Sequence, residues 1–270
     1  MPLYIVATPI GNLEDISLRA LRTLREVKLI AAEDTRRTRK LLSTYNIKTP
    51  TTSYHEHNKL AKLDYILDCL KEGDVALVSD AGMPGISDPG YELIVAASQQ
   101  GIPLVPIPGP SVVTTALVVS GLDTGQFRYL GYLLNKASAR RRQLQSVAGD
   151  YATIVVFETP HRLPAALKDI LAVLGDRRIA VCRELTKLHE EVFKGSVSQA
   201  IAHFTAPKGE FTLVIEGKRE PEKPQLTEAI KKQLGEMRRS GVGAKEAVAK
   251  LAAETGLSRK ELYQAWLKSG

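Results

Sequence analysis

Short apolar runs alternate with helical patterns through the first 121 residues. Leu3–Ala7 (LYIVA) predicts a buried strand that ends in the turn Thr8-Pro9-Ile10-Gly11-Asn12. Asp15 is expected to cap a helix carrying Ile16, Leu18, Leu21 and Leu24. Val27–Ala32 predicts the next strand. Within Lys59–Lys71, Leu60, Leu63, Ile66, Leu67 and Leu70 recur at helical spacing, and Gly73 closes that helix. Asp74–Ser79 and Pro103–Ile107 predict strands, Tyr91–Gln100 and Ser111–Ser120 helices. Such alternation makes a parallel sheet with helices on both faces.

A turn-rich break at Gly121–Gly125 opens a second unit. Phe127–Leu133, Thr153–Phe157, Arg178–Cys182 and Glu210–Glu216 predict strands there, with helices over Pro164–Leu174 and Ser196–Phe204. A solvated linker, Lys218–Pro224, precedes helical patterns that include Ala244–Glu254 and Arg259–Lys268 around the turn Thr255–Ser258. That pair resembles a helix-turn-helix. The expected organisation is an amino-terminal α/β domain over 1–121, a second α/β domain over 122–219, and a basic helical unit over 220–270.

Composition adds little to this outline, but charge does. With 270 residues, 44% hydrophobic and 25% charged, the chain can bury a core without staples. Cys69 and Cys182 lie far apart without metal-ligand spacing and predict buried, reduced thiols. The amino terminus lacks the pattern of a secretory signal, and no run approaches the ~18 apolar residues of a membrane span, so a cytoplasmic chain is expected. Net charge is +7, of which residues 222–270 carry +4. Two further basic clusters are Arg36, Arg37, Arg39 and Lys40, and Lys136, Arg140, Arg141 and Arg142. Clusters of this kind suit phosphate contact, the term that dominates nucleic-acid affinity.

Three loops carry candidate chemistry. Ser79–Gly90 (SDAGMPGISDPG) follows a strand directly and holds three glycines and two prolines, so its backbone is bent and stiff. Pro108-Gly109-Pro110-Ser111 ends the next strand, with Ser111 as a helix N-cap, a position that favours a carboxylate. TPIGN is the third. All three are expected at one sheet edge, beyond the carboxyl ends of the strands, where open parallel sheets bind ligands. No GxGxxG follows the first strand and no GxxxxGK[ST] occurs. His55-Glu56-His57 lacks clustered partners, so no metal is expected.

Taken in order, TPIGN, AAEDTRRT, SDAGMPGISDPG, PGPS, FETPHR and CRELTKLHEE resemble the ribosomal RNA small subunit methyltransferase I family. The resemblance covers residues 3–217 and implies an α/β fold of the tetrapyrrole methylase type. Two unlike α/β domains would hold S-adenosylmethionine in the cleft between them, with a small carboxyl-terminal helical unit added. It also implies methylation of a cytidine 2′-oxygen in the decoding region of 16S rRNA, a partner that is small-subunit rRNA or the 30S particle, and a homodimer. Carried over by position, the cofactor would touch Pro9, Ile10, Gly82, Met83, Ile86, Ser111 and Val112, then Phe157, Glu184 and Thr212. Relatives that act on corrinoid rings place Gly-Asp-Pro where this chain has Gly82-Met83-Pro84, which counts against a tetrapyrrole substrate.

A ribose hydroxyl is a poor nucleophile, so a positioned base could add about 10²–10⁴-fold. Candidate bases are Glu33, Asp34, Asp88 and Glu184; Glu33, Asp34 and Lys187 form the expected catalytic set. Glu33-Asp34 is also compatible with an ordinary helix start. Arg183–Lys187 faces the cleft or forms an interdomain ion pair, and His161-Arg162 lines the substrate side or contacts a helix start. The terminal helices are an RNA-docking arm using Lys245, Lys250, Arg259 and Lys260, or a packing appendage. Two rival functions remain open: a corrinoid C-methylase on the same fold, and a non-enzymatic nucleic-acid-binding regulator.

Overall fold

The computed structural model describes residues 1–219 and 226–268. Residues 1–217 form one compact unit and 218–270 a second. From residue 220 onward, the linker expected over 218–224 lies outside the described residues.

The first half of the larger unit builds an all-parallel sheet from β1 (Leu3–Val6), β2 (Leu29–Ala32), β3 (Thr51–Ser53), β4 (Val75–Val78) and β5 (Leu104–Ile107), in the order β3-β2-β4-β1-β5. β2 and β4 are buried at every residue, as strands covered on both faces must be. Around the sheet lie α1 (Leu18–Glu26), α2 (Thr35–Thr44), α3 (Lys59–Glu72), α4 (Tyr91–Gln99) and α5 (Val112–Ser120). The cap of α1 differs from the sequence expectation. Ser17, not Asp15, accepts the Ala20 amide at 3.1 Å, because Leu13–Asp15 is taken up by a short 3₁₀ turn. That shift turns Leu18 outward, 85% exposed. The short, polar β3 and the helix α2 were also missed; neither carries a clean apolar period.

The second half forms a mixed sheet in the order β6-β7-β10-β8-β9, from β6 (Phe127–Tyr132), β7 (Thr153–Glu158), β8 (Arg178–Arg183), β9 (Glu191–Ser196) and β10 (Phe211–Ile215). Only β6 and β7 pair parallel. Strand alternation sorts this sheet into two faces. Ile154, Val156, Val181 and Leu213 point toward α6 (Ala137–Gln145), α7 (Leu163–Leu174) and α8 (Val197–His203). Val155, Ala180, Cys182 and Val214 point the other way and bury Val112, Ala116 and Leu117 of α5. The first half therefore shares a core with the second across residue 121. Each large aliphatic side chain buried there contributes about 1.5–3 kcal/mol. Cys182 is buried and Cys69 partly so, both free.

Arg140, expected to meet RNA, is buried instead. Its Nε donates to Asp169 Oδ2 at 2.7 Å, and Arg141 Nε donates to Oδ1 at 2.6 Å. The i+29 partner on α7 was invisible to a reading of local charge. Burial alone would raise the Asp169 pKa; hydrogen bonds from Arg141 and Arg140 outweigh it and hold the carboxyl below its ordinary range. Asp169→Ala strands a buried guanidinium and is expected to cost about 3–5 kcal/mol in urea unfolding. A loss under about 1 kcal/mol would mean water already solvates Arg140.

The smaller unit contains α9 (Glu228–Arg239), α10 (Ala244–Thr255) and α11 (Arg259–Lys268), packed through Leu234, Ala247, Leu251, Leu262 and Trp266. Gly256, left-handed at φ +72°, ends α10 as the helix-turn-helix pattern predicts. Among the described residues no helix is long and apolar enough to cross a membrane.

Candidate active site

Because β1, β4 and β5 run parallel and adjacent, their following loops leave the sheet at one edge, as the sequence predicts. Thr8 and Gly82 exchange backbone hydrogen bonds at 2.8 and 3.0 Å, tying the loop after β1 to the one after β4. The Thr8 hydroxyl also donates to the Ser79 carbonyl at 3.1 Å. Gly82 has φ +77°, and a Cβ there would enter the space between Ile10 and the Pro110 carbonyl, 3.7 Å from each. Three loops thus converge around an opening that any side chain at 82 would fill. Ser111 occupies the N-cap of α5 without making a capping bond, so the first amides of that helix remain available to a carboxylate.

The other wall comes from the second sheet. Phe157 and Thr212 lie opposite each other on β7 and β10, on the face toward α5. Phe157 is flanked edge-on by Tyr129 and Tyr132, with centroids 5.1 and 5.5 Å away. In a regular strand, residues 129 and 132 would face opposite sides; an irregularity in β6 between them aims both at Phe157. The Tyr129 hydroxyl lies 2.6 Å from Ser87 Oγ in the glycine-rich loop, and Ser87 holds φ +65° there. Strain of this type at a non-glycine residue is characteristic of sites built for a ligand.

A cluster of carboxylates borders the loops. Glu33 Oε2 accepts the Asp80 amide at 3.1 Å, and Asp80 Oδ1 accepts the Asp34 amide at 3.1 Å, so the ends of β2 and β4 are laced together. Burial raises the pKa of Glu33 and of Asp80. Asp88 feels burial and then the negative charges of Glu33 and Asp80, and is pushed up to about 7. Asp34, expected in the catalytic set, stands at the N-cap of α2. Its carboxylate caps α2 through the Arg36 amide at 2.8 Å and pairs with the Arg36 guanidinium, which holds its pKa at about 2. Such a group is a weak proton acceptor.

The segment 184–187 closes the site from the second half. Glu184 and Thr186 sit at φ +49° and +64°. Thr186 Oγ1 accepts the Asn12 amide at 3.0 Å. Gly11 is pressed so closely against this turn that a Cβ would lie 2.6 Å from both Lys187 Cγ and Thr186 Oγ1. Lys187 Nζ donates to Glu210 Oε2 at 2.9 Å and Glu184 Oε1 at 3.1 Å. Burial works against its charge, but these bonds more than offset that, and the ammonium is held above its ordinary range. Glu184, expected at the cofactor, is engaged as a brace, since it also accepts the Glu210 amide at 2.7 Å.

A cavity of about 370 Å³ opens between these parts, lined by residues 8–11, Asp80, Arg37, Lys40, Lys187 and Glu210, among others. Of the predicted residues, Pro9, Ile10, Arg37 and Lys187 meet at this cavity. Gly82 lies beside Ile10 and Pro110, and Ser111 at the start of α5, both outside the lining of that cavity, while Met83 and exposed Ile86 continue the loop of Gly82. Lys136, Arg142 and His161 are exposed, whereas Arg162 is tied to Glu158 and the Leu133 carbonyl. Sequence reasoning missed Tyr129, Tyr132, Ser87, Asp80 and Glu210 as site residues. Asp80 and Ser87 stood in the glycine-rich string; the others are brought in by long-range contacts. Among the described residues, no cluster of His, Cys, Asp and Glu is arranged for a metal.

Residues 2–201 match the family model described as Tetrapyrrole (Corrin/Porphyrin) Methylases. Ribosomal RNA small subunit methyltransferase I of Halalkalibacterium halodurans is 45% identical over 270 residues, 97% of this chain and 93% of that protein. The Thermotoga maritima protein of the same name is 52% identical over 219 residues, 80% of this chain and 98% of its own. A crystal structure of diphthine synthase superposes with a TM-score of 0.63 at 15% identity, covering 82% of this chain and 92% of that one, a likeness of fold alone.

Proposed function

This chain belongs to the ribosomal RNA small subunit methyltransferase I family, and on that premise we propose that it methylates the 2′-oxygen of a cytidine in the decoding region of 16S rRNA. Its activity is S-adenosylmethionine-dependent methyl transfer to small-subunit rRNA. The residues fit that cofactor. Gly82 leaves an opening between Ile10 and Pro110, Ser111 leaves helix amides free, and Phe157 with its two tyrosines offers an apolar wall. When bound, S-adenosylmethionine supplies an electrophilic methyl group on a positively charged sulfur.

The observation that carries the proposal is the cavity beside that opening. It joins loops of the first half to Lys187 of the second, and half-buried Asp80, whose amide donates to Glu33, lines it. The residues at its walls hold the ribose so that its 2′-oxygen lies in line for attack, which is most of the catalysis such a reaction needs. Lys187, fixed between two carboxylates, sets a positive charge against the ribose oxygens, where negative charge develops. Asp88 accepts the 2′ proton, with Glu33 the alternative acceptor beside it.

Only ionised Asp88 can take the proton, and its raised pKa places that form above about pH 7. The rate kcat/KM is therefore expected to climb with pH through about 7 and level off beyond it. Because Glu33 and Asp80 interact with Asp88, that limb belongs to the cluster. Asp88→Asn should lower the rate by about 10²–10⁴-fold and abolish the limb. A limb that persists unchanged in this variant assigns the proton to another group.

The residues exposed on the terminal unit, Lys245, Lys250, Arg259 and Lys260, are proposed to dock RNA from outside the catalytic unit. A homodimer in the cytoplasm completes the proposal; sedimentation at micromolar concentration checks the dimer. The experiment that tests the reaction is methyl transfer to purified small ribosomal subunits, with the product mapped by mass spectrometry. A 2′-O-methylcytidine in the decoding region is expected. Transfer to a base, or to no RNA at all, would overturn the assignment.

A further inference from the structure

Helix α2 carries its charge at the disfavoured end. Arg36, Arg37, Arg39 and Lys40 fall within its first six residues, and its last turn has no basic residue. The amides of a helix amino terminus are a partial positive charge, so cations there repel them and an anion is wanted. Asp34 meets only part of that demand, through the Arg36 amide and guanidinium. Arg37 reaches Asp80 through one Nη at 3.2 Å, and Lys40 has no carboxylate partner among the described residues. A local rule broken without internal compensation marks a functional surface.

Helical spacing then sorts the four cations. Arg37, Thr38, Lys40 and Leu41 share the face that lines the 370 Å³ cavity. Thr38 is 5% exposed, and its hydroxyl makes no hydrogen bond to the described residues. Arg39 lines a separate surface recess with Ser43, Lys48 and Thr49. Arg36 lies back on Asp34, its side chain 87% exposed.

We propose that Arg37, Lys40 and the Thr38 hydroxyl form the seat for one phosphodiester of the RNA, the one flanking the ribose that is methylated, and that Arg36 and Arg39 take no part in it. The inference rests on the methyl-transfer function proposed above and adds the group that holds its substrate. With one Nη on Asp80, Arg37 still presents a planar edge of donors matched to two phosphate oxygens. Lys40 adds a point charge one turn further along. A phosphate fixed there fixes the ribose bonded to it, so the anchor acts on the reacting oxygen through covalent geometry.

The test uses the full chain with Arg37→Ala, Lys40→Ala, Arg36→Ala and Arg39→Ala, small ribosomal subunits as substrate, and a series of salt concentrations. Arg37→Ala and Lys40→Ala are expected to raise KM by about tenfold or more and to reduce the salt slope by about one each, with S-adenosylmethionine affinity unchanged. Lys40→Arg should restore most of the loss. Arg36→Ala and Arg39→Ala should stay within about twofold of the parent. Equal losses in all four variants, or none in Arg37→Ala and Lys40→Ala, overturn the seat. A second readout, NMR titration with inorganic phosphate, separates this inference from the function it rests on. If phosphate shifts α2 resonances in the parent but not in Lys40→Ala, while no RNA is methylated, the seat stands and the substrate assignment falls. If phosphate moves nothing in α2, the seat falls even where methylation proceeds.

Discussion

Gly11→Ala is expected to cut methyl transfer by about 100-fold or more while leaving a folded protein. The reason is contact distance rather than backbone conformation. A Cβ at 11 would lie 2.6 Å from Lys187 Cγ and Thr186 Oγ1 and 2.8 Å from the Leu185 carbonyl. Two of those atoms belong to side chains that could shift, but the carbonyl belongs to a turn already held at left-handed dihedrals at 184 and 186. That turn cannot absorb the displacement by rotating locally, so the loop after β1 must withdraw from the second half. Withdrawal breaks the Asn12–Thr186 hydrogen bond and moves Pro9 and Ile10 relative to Lys187. A misplacement of about 1 Å at reacting groups costs on the order of 10²-fold. Thermal unfolding should show a change of only a few degrees, because the two sheets and their shared core through α5 are untouched. Activity near the parent level would mean that the cleft tolerates a wider gap than its contacts imply.

Lys187→Ala carries the second large effect. The ammonium is the one basic group that the second half contributes to the cavity lining, and two carboxylates hold it in place. Its role is electrostatic, since its raised pKa keeps it charged and unable to accept a proton at neutral pH. Removing a preorganised charge from the place where an oxyanion develops costs about 10²–10³-fold in kcat. Removing it also leaves Glu184 and Glu210 facing each other with no cation between them, which adds repulsion at the same point. Calorimetric affinity for S-adenosylmethionine should stay within a few-fold of the parent, because Gly82, Ser111 and Phe157 lie elsewhere. Undiminished kcat would remove Lys187 from the catalytic set.

Much of the architecture could be read from periodicity. β2 and β4 are unbroken apolar runs because central parallel strands are covered on both faces, and their lengths gave them away. The three ligand-type loops could be read for a related reason. Gly82 and Pro84 restrict the backbone by their own covalent structure, wherever the rest of the chain goes. By contrast, β9 has a half-buried, mixed pattern (EVFKGS) that no period distinguishes from a loop. It becomes a strand because β8 offers it an edge.

The site was legible in its backbone and less so in its side chains. Pro9, Ile10 and Lys187 line the cavity, and Glu33 accepts the amide of Asp80, which lines it too. Arg140 shows the limit: a run of three arginines looks like a phosphate patch until a buried Asp169 from another helix claims two of them. Tyr129 shows it from the other side. Nothing near residue 129 hints at Ser87, 42 positions earlier, whose hydroxyl meets that of Tyr129 at 2.6 Å. Local chemistry fixes loops and caps, while partners far apart in the chain are set by how the two sheets meet.

The claim on which the rest depends is that the turns after β1, β4 and β5 hold the methyl donor against the second sheet. A crystal structure of the protein with S-adenosylmethionine bound addresses it directly. The donor should contact Ile10, Gly82, Met83, Ser111 and Phe157, with Lys187 and Asp88 on the side of its methyl group. A donor lodged at another surface, or one touching the first half without reaching Phe157 and Thr212, would contradict the account.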